Sequence, residues 1–298
     1  MLTIGLVGHG RWGKVHASTL IELKSIHVFS RLVVCDIDVN QHTQNMHIDA
    51  YYSSIHEMLA NEACDGIVIV TPPDTHIELA TICSHQSVPF FIEKPTAMDA
   101  QESFNFLSNL TPSTVFNIGY LLQYHPLLPR VRHHFADWKG MLKIQYVRHT
   151  KRVNTHGFDA LDTFMLHGLN FVQECLGIEL EHASTTILSN EPNHCEVEVN
   201  VGQVHIVLSA GWNFQHEEKW CSFESPNASL VIQFDEYSMY SMNGIIINNK
   251  NQEHHSPLRK QWNFWINQIK NNEPLSSETK QHYLDIEQWR VLVKALLN

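Results

Sequence analysis

The chain opens with Leu2-Thr3-Ile4-Gly5-Leu6-Val7-Gly8-His9-Gly10-Arg11-Trp12-Gly13, an apolar run followed by glycines spaced G-x-G-x-x-G. The last three glycines each have a separate use where a strand turns into a helix around a pyrophosphate. Gly8 permits the tight turn, Gly10 lets the backbone approach the phosphates, and Gly13 lets the helix pack against the strand. Unpaired N–H groups at the helix N-terminus attract the anion. The stretch predicts a dinucleotide site, although a structural loop can carry the same three glycines.

The residues after the glycines favour the dinucleotide interpretation. An amphipathic stretch is followed by a second apolar run, Leu32-Val33-Val34-Cys35, which ends on Asp36. An acid about 20 residues beyond the last glycine, at the end of the second strand, can accept hydrogen bonds from the ribose hydroxyls of NAD. Its charge would repel the 2′-phosphate of NADP, and neither Ile37 nor Asp38 supplies a compensating cation. We therefore expect NAD as the cofactor, with NADP as the open alternative.

The composition describes an ordinary globular protein of 298 residues, 43% hydrophobic and 17% charged. A formal charge of −11 argues against nucleic acid as a partner, because phosphates are bound by clustered Lys and Arg. No apolar run reaches the ~18 residues of a membrane span, and Met1 leaves no room for a signal peptide. The six cysteines and the dispersed histidines show no disulfide or zinc spacing. We expect a cytoplasmic protein with free thiols, no metal and no membrane partner.

Apolar runs of strand length alternate with helical patterns over residues 1–120, with later runs at 66–70, 89–92 and 113–118. This spacing predicts an α/β Rossmann fold, a doubly wound parallel sheet. Ligands of such sheets lie beyond the carboxyl ends of the strands. The glycine turn, Asp36 and the segments 71–76 and 93–95 would then line one crevice.

The remaining residues, 121–298, have a different pattern. Longer, alternating candidate strands are joined by short polar turns, at 141–148, 179–188, 196–201, 204–210, 220–224, 229–234 and 244–247. The pattern predicts an α+β domain with an open, mostly antiparallel sheet. Two helices, at 258–270 and 277–297, end the chain and can pack back on the first domain. We expect a dinucleotide-binding domain over 1–120 and a substrate and oligomerisation domain over 121–298.

Several motifs of this chain resemble those of the Gfo/Idh/MocA oxidoreductases. They are the glycine turn, the loop Thr71-Pro72-Pro73-Asp74-Thr75-His76, the tripeptide Glu93-Lys94-Pro95, Gly119-Tyr120 entering a helix with His125-Pro126, and His167 near the start of a helix. The motifs fall between residues 4 and 170, and the resemblance in architecture covers the whole chain. It implies an NAD(P)-dependent dehydrogenase or reductase for a sugar, polyol or nucleotide-sugar derivative. It also implies a homodimer or homotetramer assembled through the exposed face of the open sheet.

In this family the lysine of the E-K-P motif lies beside the nicotinamide, which implies that Lys94 handles the proton of the substrate hydroxyl. An amine in a closed cleft near a positive ring loses its proton more easily and can exchange it with the substrate. The alternative is a surface lysine at a strand end. The residues expected to bind the dinucleotide are Gly8, Gly10, Arg11, Trp12, Gly13, Asp36, Thr71, Pro72, Pro73, His76, Glu93 and Lys94.

The family pattern on the substrate side places an acid four residues before the histidine, where this chain has Thr163 before His167. Thr163 can hydrogen-bond a hydroxyl but cannot titrate, so the resemblance implies catalysis by Lys94 and His167 with only a neutral partner. Asp159, two turns before His167, could share its helix face. The alternative for His167 is a satisfied histidine at a domain interface.

The residues expected to contact substrate are Tyr120, Gln123, Arg152, Asp159, Asp162 and Asn170. Asn170 stands where many relatives carry another acid, and Leu121-Leu122 stands where many carry polar residues. The cationic stretch Arg148-His149-Thr150-Lys151-Arg152 would suit an anionic substrate such as a uronate or a nucleotide-diphosphate sugar. A solvated strand end is the other interpretation of this stretch, and the one that we favour.

Two other functions stay open. Thr163 in place of an acid, together with Leu121-Leu122, would suit a sensor or regulatory protein that binds NAD(H) without turnover. The short chain and its apolar segment also permit reduction of a flat apolar substrate, as in the biliverdin reductases. Glu93-Lys94-Pro95 speaks against the second of these alternatives.

Overall fold

The computed structural model describes residues 2–38, 40, 45–154, 159–241, 246–248 and 256–297. By their contacts the residues form two compact units. Unit 1 comprises Met1–Gly119 and Leu258–Lys280, and unit 2 comprises Tyr120–Pro257 and Gln281–Asn298. Each unit is therefore built from two separate stretches of the chain.

Unit 1 contains a parallel sheet of six strands among the described residues: β1 Thr3–Val7, β2 Arg31–Cys35, β3 Ala50–Tyr52, β4 Gly66–Ile69, β5 Phe90–Ile92 and β6 Phe116–Ile118. Their order is β3-β2-β1-β4-β5-β6, and every neighbouring pair is parallel. In this Rossmann order the strand sequence reverses between β1 and β4, and ligands bind at the carboxyl ends of the strands there. The predicted doubly wound sheet is confirmed.

Four helices follow strands of this sheet: α1 Arg11–Ser25, α2 Ile55–Asn61, α3 His76–His85 and α4 Ala100–Asn109. Two of them begin at side-chain caps. Ser54 accepts a hydrogen bond from the N–H of Glu57 at the start of α2, and Asp99 accepts one from the N–H of Glu102 at the start of α4. Such caps satisfy N–H groups that the first turn of a helix leaves unpaired.

The sequence pattern does not indicate β3. Its residues, Ala50–Tyr52, are half-buried and form the edge of the sheet beside Val33–Cys35 of β2. Three residues are too few to show an alternation of polar and apolar side chains. The strand therefore depends on its pairing with β2 more than on a local signal.

Unit 2 is built around a sheet with eight strands in the described part of the chain: β7 Leu142–His149, β8 Ser184–Glu191, β9 His194–Val201, β10 Val204–Gly211, β11 Glu218–Ser225, β12 Ala228–Gln233, β13 Ser238–Ser241 and β14 Ile246–Asn248. Their order is β14-β13-β12-β11-β7-β10-β9-β8. Strands β7 and β10 are parallel, and all other neighbouring pairs are antiparallel. The predicted open, mostly antiparallel sheet is confirmed.

Two details of unit 2 differ from the sequence-based expectation, and a third cannot be compared with it. The strand expected over 179–188 begins only at Ser184, because the N–H of Ala183 bonds back to the carbonyl of Leu180 in a turn. Strand β13 is not indicated by the pattern. The start of the strand expected over 244–247 lies outside the described residues, which resume at 246.

The remaining helices are α5 Leu128–Phe135, α6 Leu166–Leu176, α7 Pro257–Asn271 and α8 Ser277–Leu297. The helix expected to carry His125-Pro126 is instead a single turn, Leu121–Tyr124, followed by extended backbone at His125. A π-helical turn, Leu161–Met165, leads into α6. In α6, a Cβ at Gly168 would lie 2.3 Å from the ring of Tyr146, so glycine lets the helix approach β7 closely.

Helix α7 completes the core of unit 1. Trp262 and Trp265 are fully buried, and their rings lie 4.6 Å and 6.2 Å from the ring of Phe91, between centroids. Gly66 makes room for this helix, since a Cβ there would come within 2.5 Å of Ile269. Large buried aromatic surfaces of this kind contribute strongly to a core.

Neither a membrane-spanning helix nor a cluster of metal-binding side chains occurs among the described residues. None of their helices is both long and apolar enough to cross a membrane. Within the same residues, no group of three or more His, Cys, Asp or Glu side chains could hold a metal ion.

Candidate active site

The glycine turn between β1 and α1 has different constraints at each of its three glycines. Gly8 has a φ of +96°, which favours glycine, and a Cβ at Gly13 would lie 2.1 Å from the carbonyl oxygen of Gly8. Around Gly10, by contrast, an added Cβ would meet no atom within 4 Å. Gly8 and Gly13 are thus required by the protein's own packing, whereas Gly10 borders open space that a ligand can approach.

The N-terminus of α1 faces the same turn. Its N-cap residue is Gly10, so no side chain caps the first turn, and no acidic residue lies in it. Arg11 is exposed, and the Trp12 side chain is 43% exposed. An uncapped helix start of this kind offers backbone N–H groups to an anion, so these residues fit a dinucleotide phosphate.

Asp36 follows β2 and lies against the glycine turn. Its carboxylate accepts hydrogen bonds from the N–H of His9 at 2.5 Å and from the N–H of Asp38 at 2.9 Å. A carboxylate held by two backbone donors keeps lone pairs for further donors. The acid expected to bind the adenosine ribose is therefore held in a defined orientation beside the expected phosphate site.

The loop after β4 carries the second motif. Pro73–Thr75 form a short 3₁₀ turn after Pro72, and Thr75 donates from its hydroxyl to Thr71 and to the carbonyl of Pro72. The imidazole of His76 is buried, with Nε2 2.8 Å from the carbonyl oxygen of Thr71 and Nδ1 2.9 Å from that of Pro95. Burial lowers the pKa of His76, although both carbonyls act in the opposite direction. Both ring nitrogens of this residue therefore face backbone carbonyls of its own unit.

Glu93 follows β5 and is the buried acid of the site. Its Oε1 lies 3.0 Å from Nε2 of His16 on α1, and its Oε2 accepts a hydrogen bond from the backbone N–H of Lys94 at 3.1 Å. A Cβ at position 119 would come within 2.6 Å of this carboxylate, so Gly119 leaves the space that it occupies. Burial acts to raise the pKa of Glu93, but the hydrogen bonds from His16 and Trp12 and the charge of Lys94 hold it below its usual value.

In unit 2, His167 lies in the first turn of α6 and is half-buried. Its ring packs edge-on against that of Tyr120, with centroids 6.4 Å apart. Tyr120 is fully buried, and its hydroxyl has no hydrogen-bond partner among the described residues. The fully buried Asn170 likewise has no described partner for either amide atom. Buried polar atoms are normally paired, so these two side chains have hydrogen-bonding capacity that no described residue uses.

Asp162 is held by cations that the sequence analysis did not single out. Its carboxylate lies 2.5 Å from Nε of the buried Arg290 and 2.8 Å from Nζ of Lys294. Glu287 pairs with the same guanidinium at 3.0 Å. The only sequence signal was the Glu-x-x-Arg spacing on one face of a helix. Asp162 therefore belongs to a buried ion-pair network within unit 2.

Two residues near Asp162 in the sequence, Asp159 and Thr163, also make polar contacts within unit 2. Asp159 forms an ion pair with Lys294 and accepts a hydrogen bond from the N–H of Asp162. The hydroxyl of Thr163 donates to the backbone carbonyl of Asp159 at 2.8 Å. Asp159 precedes the π-helical turn, so its carboxylate caps that turn.

The other expected substrate residues lie in different surroundings. Gln123 exchanges hydrogen bonds with the hydroxyl of Tyr283 at 2.9 and 3.3 Å. Arg152 is exposed, and its carbonyl accepts from the N–H of Asn213. Arg148, in the same cationic stretch, pairs with Glu217 at 2.9 Å. The structure thus groups Tyr120 with His167, and it shows Arg148 already neutralised.

The match to known families begins in unit 1. A family model described as "Oxidoreductase family, NAD-binding Rossmann fold" matches residues 2–112. The rhizopine catabolism protein MocA of Rhizobium meliloti is 27% identical over 138 residues, which are 43% of this chain and 40% of that protein. The alignment with this curated relative thus spans less than half of its length.

Similarity of fold extends over the whole chain. The UDP-N-acetylglucosamine 3-dehydrogenase GnnA from Acidithiobacillus ferrooxidans superposes with a TM-score of 0.77 at 17% identity, covering 100% of this chain and 99% of the other. A levoglucosan dehydrogenase, in complex with NADH and levoglucosan, superposes with a TM-score of 0.78 at 12% identity, covering 98% and 97%. At such identities the likeness establishes a shared fold.

Proposed function

We propose that this chain is a member of the Gfo/Idh/MocA oxidoreductases, because a family model described as an NAD-binding Rossmann fold matches its residues 2–112, and from this likeness we propose its reaction. It transfers a hydride between a nicotinamide dinucleotide and the carbinol or carbonyl carbon of a sugar, polyol or nucleotide-sugar derivative. One observation carries the proposal. The glycine turn, Asp36 and Lys94 follow β1, β2 and β5, at the carboxyl edge of one parallel sheet.

The cofactor would be held by residues of unit 1. The N–H groups at the start of α1 and the open space at Gly10 suit the pyrophosphate, and Asp36 suits the ribose hydroxyls of NAD. When bound, the dinucleotide supplies the hydride chemistry. The protein supplies binding, orientation and proton transfer.

Lys94 is the proposed acid and base. During oxidation its neutral Nζ accepts the proton of the substrate hydroxyl, and during reduction its ammonium returns that proton to the carbonyl oxygen. Its half-buried position, next to the buried Glu93 carboxylate, supports such a role. A lysine whose environment is set by burial and a nearby charge is a common proton carrier in enzymes.

The substrate contacts are proposed to come from unit 2. His167 would assist the proton transfer or orient the substrate, with Thr163 as a neutral neighbour. The unpaired hydroxyl of Tyr120 and the amide of Asn170 would bind hydroxyl groups. Each buried polar group left unpaired costs about 1–3 kcal/mol, so a hydroxyl-rich ligand that pairs with them gains affinity. The names of the two similar structures, which act on UDP-N-acetylglucosamine and levoglucosan, also favour a carbohydrate.

Turnover by the Lys94→Ala variant tests this proposal. A panel of inositols, levoglucosan and UDP-N-acetylglucosamine is screened with NAD and NADH by nicotinamide absorbance. On the best substrate we expect Lys94→Ala to lower kcat about 100- to 10,000-fold, since proton transfer is lost, while NADH still binds. Lys139→Ala, which removes an exposed lysine of unit 2, is the matched control and should keep full activity.

Undiminished turnover in Lys94→Ala would contradict the proposed chemistry. Saturable NADH binding without turnover of any compound would instead favour the sensor alternative.

Two further properties are proposed on the resemblance to the family. The protein would assemble as a homodimer or homotetramer through the exposed face of the unit 2 sheet, and it would reside in the cytoplasm. Light scattering after size-exclusion chromatography gives the oligomeric state. A monomer at micromolar concentration would contradict the first property.

A further inference from the structure

Two buried histidines contact the peptide units on either side of Lys94. His16 lies on α1 and reaches Glu93, the residue before the lysine. His76 lies at the start of α3 and reaches the carbonyl of Pro95, the residue after it. Both imidazoles are almost completely buried, at 0% and 1% exposure. Burying a polar ring is unfavourable unless its nitrogens find partners, and the polar atoms facing these two rings are the Glu93 carboxylate for His16 and two backbone carbonyls for His76.

The first contact passes through a carboxylate. His16 Nε2 is 3.0 Å from Glu93 Oε1, while Glu93 Oε2 accepts the backbone N–H of Lys94 at 3.1 Å. The space for this carboxylate exists because residue 119 is glycine. The His16 ring is itself enclosed by Trp12 and Trp262, with centroids 5.1 and 5.2 Å away. The Glu93 carboxylate thus lies between the His16 side chain of α1 and the backbone N–H of Lys94.

The second contact connects two loops. Nδ1 of His76 is 2.9 Å from the carbonyl oxygen of Pro95, and Nε2 is 2.8 Å from that of Thr71. The neutral ring carries one N–H and donates it to one of the two carbonyls, depending on the tautomer, and the ring itself fills the space between the loop after β4 and the loop after β5. The first of these loops carries residues expected to contact the dinucleotide.

From this geometry we propose that His16 and His76 are positioning residues that hold Lys94 through the Glu93 carboxylate and the Pro95 carbonyl. The inference rests on the proposed function of Lys94 and adds the parts that orient it. Through His16, Lys94 is tied to the helix that begins at the phosphate site, and through His76 it is tied to the Thr71 loop. A small displacement of a catalytic group can cost about 100-fold in rate, which is the reason to hold its backbone from two sides.

The placement of Lys94 can be measured without knowing the substrate. Lysines of the intact protein are reductively methylated with ¹³C-formaldehyde, and the Lys94 signal is identified by its absence in Lys94→Arg. In the wild type we expect this signal to stand apart from those of exposed lysines, because its surroundings are ordered. In His16→Leu and His76→Leu it should move into the envelope of exposed lysines, and in His16→Leu the NADH affinity should change less than about tenfold.

Conservative variants separate positioning from general stability. His16→Gln keeps an N–H donor near the place of Nε2 and should retain the separate Lys94 signal. Leu20→Ala removes a buried side chain one turn further along α1. It should lower the melting temperature as much as His16→Leu does while leaving the Lys94 signal in place.

Glu93→Gln and Gly119→Ala give independent tests if a leucine variant does not fold. The first removes the charge that His16 faces, and the second adds a methyl group within 2.6 Å of the carboxylate. Both should shift the Lys94 signal towards those of exposed lysines. A Lys94 signal identical to that of the wild type in folded His16→Leu, or in both of these variants, would overturn the inference.

A different measurement, the response of the wild-type Lys94 signal to NADH, tests the proposed function of Lys94. If the wild-type Lys94 signal does not change when saturating NADH is added, Lys94 does not lie beside the bound cofactor, and the proposed function of Lys94 is contradicted. The inference about positioning is decided by the position of the signal in the absence of NADH.

Discussion

Asp36 shows how one carboxylate at the end of β2 can serve both the fold and the ligand. One oxygen accepts the N–H of His9 in the glycine turn, and the other accepts the N–H of Asp38. Since these bonds hold the charge beside the expected ribose, we propose that Asp36 would act on cofactor choice through both attraction and repulsion. NAD gains two hydroxyl donors, whereas NADP would bring a phosphate against a carboxylate.

Asp36→Ser should change cofactor preference. We expect NADH to bind about tenfold more weakly, equivalent to about 1.4 kcal/mol, and NADPH to bind more tightly than it does to the wild type. Fluorescence titration of both dinucleotides measures the ratio. Asp38→Asn removes a charge two residues away and should keep the wild-type preference. An unchanged ratio in Asp36→Ser would contradict the assignment of Asp36 to the ribose.

The lowered pKa of Glu217 in unit 2 predicts that the stability of the protein depends on pH. Partial burial acts to raise its pKa, but hydrogen bonds from Arg148, Thr150 and the N–H of Lys151 outweigh it and lower the pKa to about 2. Because the folded pKa lies below the ordinary value of 4.5, the stabilisation is full above about pH 4.5. It is lost as the pH falls towards 2.

Glu217→Gln should therefore destabilise the protein at pH 7 but not near pH 2. The Glu217 side chain is 46% exposed, so solvent screening limits the expected effect to about 1 kcal/mol or less. Urea unfolding at several pH values measures the difference from the wild type. A difference that stays constant between pH 7 and pH 3 would contradict this explanation.

The turn between β1 and α1 is the clearest example of an element whose glycines differ in purpose. Gly13 is required because α1 packs against the carbonyl of Gly8, and Gly8 is required because its φ is positive. Gly10 has neither constraint, since its φ is −67° and an added Cβ meets nothing within 4 Å. The motif therefore combines two positions that the fold itself requires with one, Gly10, for which the fold requires no glycine and which we propose to lie at the ligand.

Alanine substitutions at Gly10 and at Gly13 should separate ligand binding from folding. Gly10→Ala should leave the melting temperature unchanged and weaken NADH binding about tenfold or more, because the methyl group occupies the approach to the phosphates. Gly13→Ala should destabilise the protein by about 2 kcal/mol or more, since its Cβ would lie 2.1 Å from a backbone oxygen. Calorimetry and fluorescence titration give both quantities. Wild-type NADH affinity in Gly10→Ala would contradict the proposed phosphate site.

The long helices and strands were predictable from the sequence. The strands β7 and β10 and helices such as α1 carry a repeating apolar pattern that depends on near neighbours in sequence. Short elements such as β3 and β13 were not predictable, because they form by pairing with strands that are already in place. The π-helical turn before α6 has no sequence signature of its own.

Unit 1 as a whole requires chain from both ends of the sequence. Its motifs all lie before residue 120, but α7 packs Trp262 and Trp265 against Phe91 and Ile269 against Gly66. Losing a buried tryptophan costs about 3–5 kcal/mol, a large part of the stability of a domain. The dinucleotide-binding unit is therefore incomplete without residues 258–280.

Truncation should reveal this dependence. A chain ending at residue 256 keeps every cofactor motif, yet we expect it to lose cooperative unfolding and NADH binding. A chain ending at residue 280 retains α7 and should still bind NADH. Circular dichroism and fluorescence titration compare the two. NADH binding by the shorter chain with wild-type affinity would contradict a structural need for α7.

The sequence by itself determined the fold class and the positions of the glycine turn, Asp36 and Lys94 at the ends of three strands. These features depend on local periodicity and on short spacings around a single strand end, which can be read along the chain. Only the tertiary structure decided what surrounds them. It brought His16 to Glu93 and tied Asp162 to Arg290, which is 128 positions away. It also left the Tyr120 hydroxyl and the Asn170 amide buried without described partners. Such contacts join residues far apart in sequence, and no local pattern records which distant side chain will fill a given space once the core has packed.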